Sequence, residues 1–361
     1  MNASRFALFL GAFASMALSN AVVPVLSIIT PDPVVQGAVY SAYFLGAFLM
    51  VFPAGWISDM VGRPPLIKLG LLGTCVSGLL IWFFPGDPLF TISLRFLEGL
   101  FTGMFVSAAL SYINSGADHK KLSGMYIALL NVGMVAGLVI PGLLAAYHPY
   151  AGVLVFSVMS GCAFLAGIFF RDPAGFVSLK IPIQTILSIA QYHKWLWVTL
   201  FVFAGATGVV TSMYPEMSGY SAEISGVVTA LMSLATAVCV YAASHLALSD
   251  SLGVIRKTAV LLAVSIPLVL ITPLGMIITG GVFGVISAAV LNYIAGTPHP
   301  QGVMNGLFTT MQYAGMAALP AITGLLVIPL GYLWIFASVG ILVLAGGLLI
   351  VRCPCYAPAL R

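Results

Sequence analysis

Twelve apolar stretches follow one another along the chain with little between them. They run Arg5–Ile29, Val34–Ser58, Leu66–Phe84, Leu89–Ser115, Leu122–Tyr147, Tyr150–Phe170, Trp195–Met213, Ala222–Leu246, Val254–Ile271, Leu274–Ala295, Gly302–Val327 and Gly331–Val351. A helix needs ~20 mostly apolar residues to cross the hydrocarbon core. The pattern therefore predicts an all-α integral membrane protein with twelve transmembrane helices. The loops are too short for a soluble domain. The first stretch is too long for a signal-peptide core and further spans follow at once, so it reads as a retained helix.

The polar residues between the spans set an orientation. Alternate loops carry Arg63 and Lys68, Lys120 and Lys121, Arg171, Lys180 and Lys194, then Arg256 and Lys257; Arg5, Arg352 and Arg361 fall on the same side. The opposite loops carry Asp32, Asp87, His148 and Glu216, without Lys or Arg. The positive-inside rule places both termini and the long central loop in the cytoplasm, with the chain multi-pass in the cell membrane. An even number of spans is required, which twelve satisfies.

Composition agrees with lipid as the solvent. Charged residues make up 6% and hydrophobic residues 61%, with a mean hydropathy of +1.13. A soluble domain carries about 25% charge. The net charge of +4 comes from basic residues scattered singly or in pairs, so no nucleic-acid partner is expected. Cys75, Cys162 and Cys239 lie inside spans as small hydrophobes. Cys353-Pro354-Cys355 in the tail has no histidine nearby, so neither metal nor cofactor is expected. No nucleophile–base constellation appears, which argues against an enzyme.

The chain repeats itself. Ser58-Asp59-x-x-Gly62 recurs as Ser249-Asp250-x-x-Gly253, an offset of 191 residues from Asp59 to Asp250. Ser123-Gly124 and Gly133-Met134 are echoed by Asn305-Gly306 and Gly315-Met316. Two parallel six-span repeats are a known transporter plan, with the substrate site between them. The expected organisation is two pseudo-symmetric six-helix bundles, residues 1–170 and 195–361, joined by a cytoplasmic linker at 171–194. Within the linker, Ile181–Ile189 is a candidate interfacial helix.

Three motifs carry a family resemblance. Gly55-Trp56-Ile57-Ser58-Asp59-Met60-Val61-Gly62-Arg63-Pro64 follows the second span, Arg95-Phe96-Leu97-Glu98-Gly99 lies in the fourth, and Gly133-Met134-Val135-Ala136-Gly137-Leu138-Val139-Ile140-Pro141-Gly142 lies in the fifth. Over its whole length the chain resembles a major facilitator superfamily transporter. The third motif is similar to the signature of the drug:proton antiporter branch, departing from it at Leu138 and Pro141. The resemblance implies a secondary active transporter working by alternating access, here proton-coupled export of a small, partly apolar compound. The alternative is uptake or facilitated exchange of a metabolite such as a sugar or an organic anion. The expected partners are the substrate, protons and membrane lipids, and the expected state is a monomer.

The motifs suggest roles for particular residues. Asp59 stands where a helix N-terminus favours an anion. In the family's fold that helix is the eleventh span near Gln301-Gly302, and Asp250 mirrors it at Leu122-Ser123. Gly55, Asp59, Gly62, Arg63 and Asp250 thus form an expected conformational latch. Arg95 and Glu98 are the charges well inside a span, which is costly and marks a functional site. Spaced i,i+3 on one helix face, they are read as a proton-coupling pair. A permanently closed structural ion pair and a substrate-anion site at Arg95 are the competing readings. Gly133, Gly137, Pro141 and Gly142 suggest close helix packing and a bend. Asn20, Tyr43, Asn131, Asn292, Gln312 and Tyr313 are candidate substrate contacts.

Overall fold

The computed structural model describes residues 3–114, 119–169, 182–245 and 250–352. Lys120 and Lys121 (side chains), Arg171, Lys180, Ser249, Cys353, Cys355 and Arg361 lie outside the described residues, as does the side chain of Asp59. The elements in order are α1 (Ala3–Asn20), a 3-10 turn Val23–Val25, a four-residue helix Leu26–Ile29, α2 (Pro33–Val61), α3 (Arg63–Phe83), α4 (Pro88–Asn114), α5 (His119–Leu144) and α6 (Ala151–Ala166). A short helix Ile183–Tyr192 precedes α7 (Lys194–Ser218), α8 (Ala222–Ser244), α9 (Ser251–Leu268), α10 (Leu274–Ala295) and a 49-residue helix Gln301–Leu349. That last helix breaks at Gly331, where φ is 78°. Its arms are α11 (301–330) and α12 (332–349).

Among the described residues ten helices are long and apolar enough to cross a membrane. The longest of them supplies two spans, and the shorter apolar helix α6 completes twelve. The fold is an all-α membrane bundle. The elements are punctuated as the local chemistry requires. The first expected span is not one helix. Pro24 has no N–H to continue the ladder, and the chain steps through a 3-10 turn instead. The Asp32 side chain accepts the Val34 amide at 2.8 Å to start α2, with Pro33 at the first helical position. Gly62 joins α2 to α3 at φ 89°, a conformation that glycine adopts without steric cost.

Helices α1–α6 bury clusters drawn from residues 7 to 166, and α7–α12 bury one drawn from residues 189 to 350. The short helix Ile183–Tyr192 joins the second group through Ile189, so part of the expected linker is packed chain. Helix direction gives the bundle two ends. Arg5, Arg63, Lys68, Lys194, Arg256, Lys257 and Arg352 lie toward the end where α1 begins, the basic face. Asp32, Asp87, Glu216 and Glu223 lie toward the other, the acidic face.

The halves cross at α2 with α11 and at α5 with α8. The backbone meets backbone near the acidic face. A Cβ on Gly37 would meet the Pro320 carbonyl oxygen at 2.7 Å, and one on Gly142 would meet that of Ala222 at 2.7 Å. Gly226 lies against the Leu138 carbonyl in the same way. Beside these crossings Gln36 Nε2 donates to Glu216 Oε2 at 3.1 Å and to the Thr30 carbonyl at 2.8 Å. At the basic face the same helices present Gly124 and Gly302 to open space, and Gly306 to the Phe52 ring at 3.8 Å. Among the described residues the close backbone crossings between the halves lie toward the acidic face.

A larger residue at Gly142 should hold the acidic face apart. Overpacking costs about 1–3 kcal/mol, enough to shift a two-state equilibrium roughly five- to hundredfold. Cysteines placed at Gln36 and Glu216 should crosslink readily, and adding Gly142→Leu should cut the yield. Unchanged crosslinking would show that these crossings do not set closure.

Candidate functional site

Arg95 and Glu98 lie on α4, toward its acidic-face end, and both are fully buried. Their i,i+3 spacing brings both Glu98 oxygens to 2.8 Å from Arg95 Nη1. Arg95 Nη2 donates to the Ser19 carbonyl at 2.7 Å, and Nη1 also reaches the Leu18 carbonyl at 3.5 Å. These are among the last carbonyls of α1, where the helix end favours a cation; the Leu18 carbonyl also accepts the Ala21 amide at 3.1 Å. The break that precedes Pro24 thus prepares the acceptor for Arg95. The Tyr43 ring lies 4.6 Å from the guanidinium carbon, a cation–π contact.

Helix α4 reaches this position through glycines. Gly99 of the fourth-span motif lies against the Tyr43 carbonyl, and Gly46 of α2 against that of Phe96. A Cβ on Gly103 would meet the Ala47 carbonyl at 3.0 Å. Side chains at these positions would separate α2 from α4 and lift Tyr43 off Arg95. Within the pair, Arg95 Nε is buried with no hydrogen-bond partner among the described residues.

An aromatic chain leads from the pair to the other half. Tyr43 meets Phe44 with ring centroids 5.2 Å apart, Tyr40 meets Phe44 at 4.8 Å, and Phe44 meets Tyr313 of α11 at 5.9 Å. These rings share an apolar cluster with Val23, Leu138, Ala230 and Ala317, which joins the halves.

The remaining candidates are distributed as follows. Asn20 is buried beside the pair, its Nδ2 donating to Ser19 Oγ at 2.7 Å and to the Met16 carbonyl at 3.1 Å. Asn131 is half-buried on α5 and donates to the Ile127 carbonyl at 2.8 Å. Gln312 is half-buried next to Tyr313. Asn292 stands apart. It lies in the last turn of α10 at the basic face and donates to Ser251 Oγ at 2.8 Å. A polar residue in an apolar span does not reveal its depth, and this one ties α10 to the start of α9.

Gly133 and Gly137 lie against the Phe13 and Ala17 carbonyls of α1, inside their own half. Of the four packing candidates in the fifth span, Gly142 meets the other half, and Pro141 packs on Gly152 of α6. Asp250 caps α9, accepting the Gly253 amide at 2.8 Å. Arg63 is buried, with Nε donating to Ser111 Oγ of α4 at 2.9 Å. Gly55 packs near Ser107 of α4. The Gln36–Glu216 contact was missed. Its one visible signal was an amide in the first turn of an apolar span.

The sequence model of the Major Facilitator Superfamily matches residues 6–320. The chain belongs to the Major Facilitator Superfamily. Tetracycline resistance protein class C of Escherichia coli is 32% identical over 135 residues, 37% of this chain and 34% of that protein. The class B protein of Escherichia coli is 26% identical over 164 residues, 44% of this chain and 40% of that protein. These alignments span well under half of the relatives' length. Among solved structures, that of a point mutant of the nucleoside transporter NupG superposes with a TM-score of 0.80 at 11% identity, covering 97% of this chain and 99% of that one. The human organic anion transporter MFSD10 superposes with a TM-score of 0.71 at 15% identity, covering 96% and 99%. At these identities the superpositions speak for the fold. The chain is a multi-pass helical membrane protein of this superfamily.

Removing one charge of the pair strands the other in the bundle, which costs about 3–5 kcal/mol, whereas replacing both by apolar residues is often neutral. Arg95→Leu should therefore lower thermal stability in detergent sharply, and Arg95→Leu with Glu98→Leu should recover much of it. A double variant no more stable than the single one would show that the pair is not the local source of that cost.

Proposed function

We propose that this transporter exports a small, partly apolar, uncharged compound in exchange for protons, by alternating access between two six-helix halves, 1–170 and 195–361. The observation that carries the reading is the buried Arg95–Glu98 pair, held on the end of α1 and joined to the other half through Tyr43, Phe44 and Tyr313. The tetracycline resistance proteins among its relatives support export. The proposed orientation has both termini in the cytoplasm and the basic face inward, in the cell membrane, as a monomer.

In this mechanism Glu98 is the proton carrier. Ionised, it neutralises Arg95. Protonated, it leaves the guanidinium to the Leu18 and Ser19 carbonyls and the Tyr43 ring. The balance of contacts on α1 and α2 changes; α2 packs on α11, and the turn Val23–Val25 that follows α1 packs on α7 and α8. Asn20, Tyr43, Asn131, Gln312 and Tyr313 are the proposed substrate contacts; Asn292 is left out. In the conformation closed at the basic face, Gly55, Asp59, Gly62 and Arg63 latch α2 to the start of α11, and Asp250 is the corresponding residue of the other half.

The organic-anion alternative needs Arg95 free to bind a carboxylate or phosphate. Glu98, two carbonyls and an aromatic face already answer it, which favours an uncharged substrate.

The test is proton flux in proteoliposomes with an internal pH dye. Neutral drugs, lipophilic cations, sugars and carboxylates are added to wild type and to Glu98→Gln. A substrate-dependent proton signal that disappears in Glu98→Gln is expected. Equal uptake of a sugar or carboxylate by both proteins, without a proton signal, would reject coupled export and leave Glu98 as a structural partner of Arg95.

A further inference from the structure

Transport leaves one charged cluster unused, at the basic-face rim of the C-terminal half. Lys194 opens α7, and Arg352 ends the 3-10 turn after α12. The fold brings both to one indole. Lys194 Nζ lies 5.5 Å and the Arg352 guanidinium carbon 5.9 Å from the Trp195 ring centroid. Both cations are exposed and Trp195 is half-buried. Among the described residues neither cation has a carboxylate within ion-pair distance. The described acids are at the acidic face, paired in the interior, or, in Asp250, capping α9. Two cations gathered at one indole raise the local positive potential, which an anion would offset.

The surroundings say which anion. The short helix Ile183–Tyr192 leads directly into Lys194. It packs one side on the C-terminal core through Ile189, with Ile186 and Ala190 partly buried. Its other side leaves Ile183 56% and Leu187 61% exposed, one turn apart. A short amphipathic helix beside a tryptophan at the end of a span is the pattern of a membrane interface. A soluble phosphate would use the two cations and ignore the apolar pair. A phospholipid would use both, its phosphate at Lys194 and Arg352 and its acyl chains along Ile183 and Leu187. Basic pockets at helix ends are recognised sites for acidic headgroups.

We propose that Lys194, Trp195 and Arg352, with Ile183 and Leu187, form a binding site for an anionic phospholipid at the basic face. The bound lipid fastens the end of the connecting segment, α7 and α12 to the membrane surface. It gives the C-terminal half an anchor against which the N-terminal half moves. The site does not depend on Glu98 or on the direction of transport.

The test is native mass spectrometry of the full chain in detergent, with added phosphatidylglycerol, phosphatidylcholine or inorganic phosphate. Wild type should retain phosphatidylglycerol in preference to phosphatidylcholine. Lys194→Gln and Arg352→Gln should each weaken that retention about fivefold, and Lys194→Arg should keep it. Ile183→Ser with Leu187→Ser should weaken it without creating phosphate binding. Equal phosphatidylglycerol retention in wild type and the Lys194→Gln, Arg352→Gln double variant would overturn the proposal. So would displacement of the lipid by inorganic phosphate. Both cations are exposed, so the variants should elute as folded protein by size exclusion.

Discussion

A guanidinium inside a lipid-embedded bundle has to find its counter-charge and acceptors within the protein, and much of the N-terminal half is arranged to supply them to Arg95. Helix α1 stops at Asn20 and presents its last carbonyls. Helix α2 presents the face of Tyr43, and α4 supplies Glu98 from its own next turn. These acceptors come close enough because Gly46, Gly99 and Gly103 let α2 and α4 touch along their backbones. A charge that costs several kcal/mol to bury alone thereby fixes the relation of three helices.

The same cluster lies where the halves meet. Val23, just beyond α1, and Tyr43 and Phe44 of α2 belong to the apolar cluster shared with Ala230 and Ala317. Closer to the acidic face the glycine crossings and the Gln36–Glu216 hydrogen bond hold the halves together. Toward the basic face Gly124 and Gly302 face open space. Packed interfaces have discrete arrangements rather than a continuum of them, so in the proposed mechanism a change at Arg95 would act on a junction that is either closed or open.

The spans were legible because lipid imposes a length and a composition that few other environments impose. Where the reading failed, the deciding contact was not local. Pro24 marked the break in α1, but the use of the freed carbonyls by Arg95 depends on a helix some seventy residues away in sequence. Arg95 and Glu98 stood out as charges in apolar surroundings. Gln36 and Glu216 pair across the halves, and nothing in either neighbourhood announces the other. Gly133 and Gly137 were recognisable as a packing face, yet a repeat of small residues does not name its partner, which is α1. Asn292 looked like a cavity residue because periodicity carries no depth; its helix ends one turn later, and its side chain is tied to Ser251.

The arrangement also constrains what a substrate can be. With Glu98 ionised, the pair carries no net charge and Arg95 has its acceptors in place. An anionic substrate would have to displace Glu98 or the Ser19 carbonyl, and a cation would find the Glu98 carboxylate engaged. An uncharged molecule displaces neither. In the proposed function it would meet the aromatic edges of Tyr43, Phe44 and Tyr313 and the amides of Asn20 and Gln312, and its binding would leave the charge balance of the pair to the proton. In the proposed mechanism that separation, with charge handled inside the N-terminal half and the substrate between the halves, would let one site respond to pH while the other selects by shape and apolar contact.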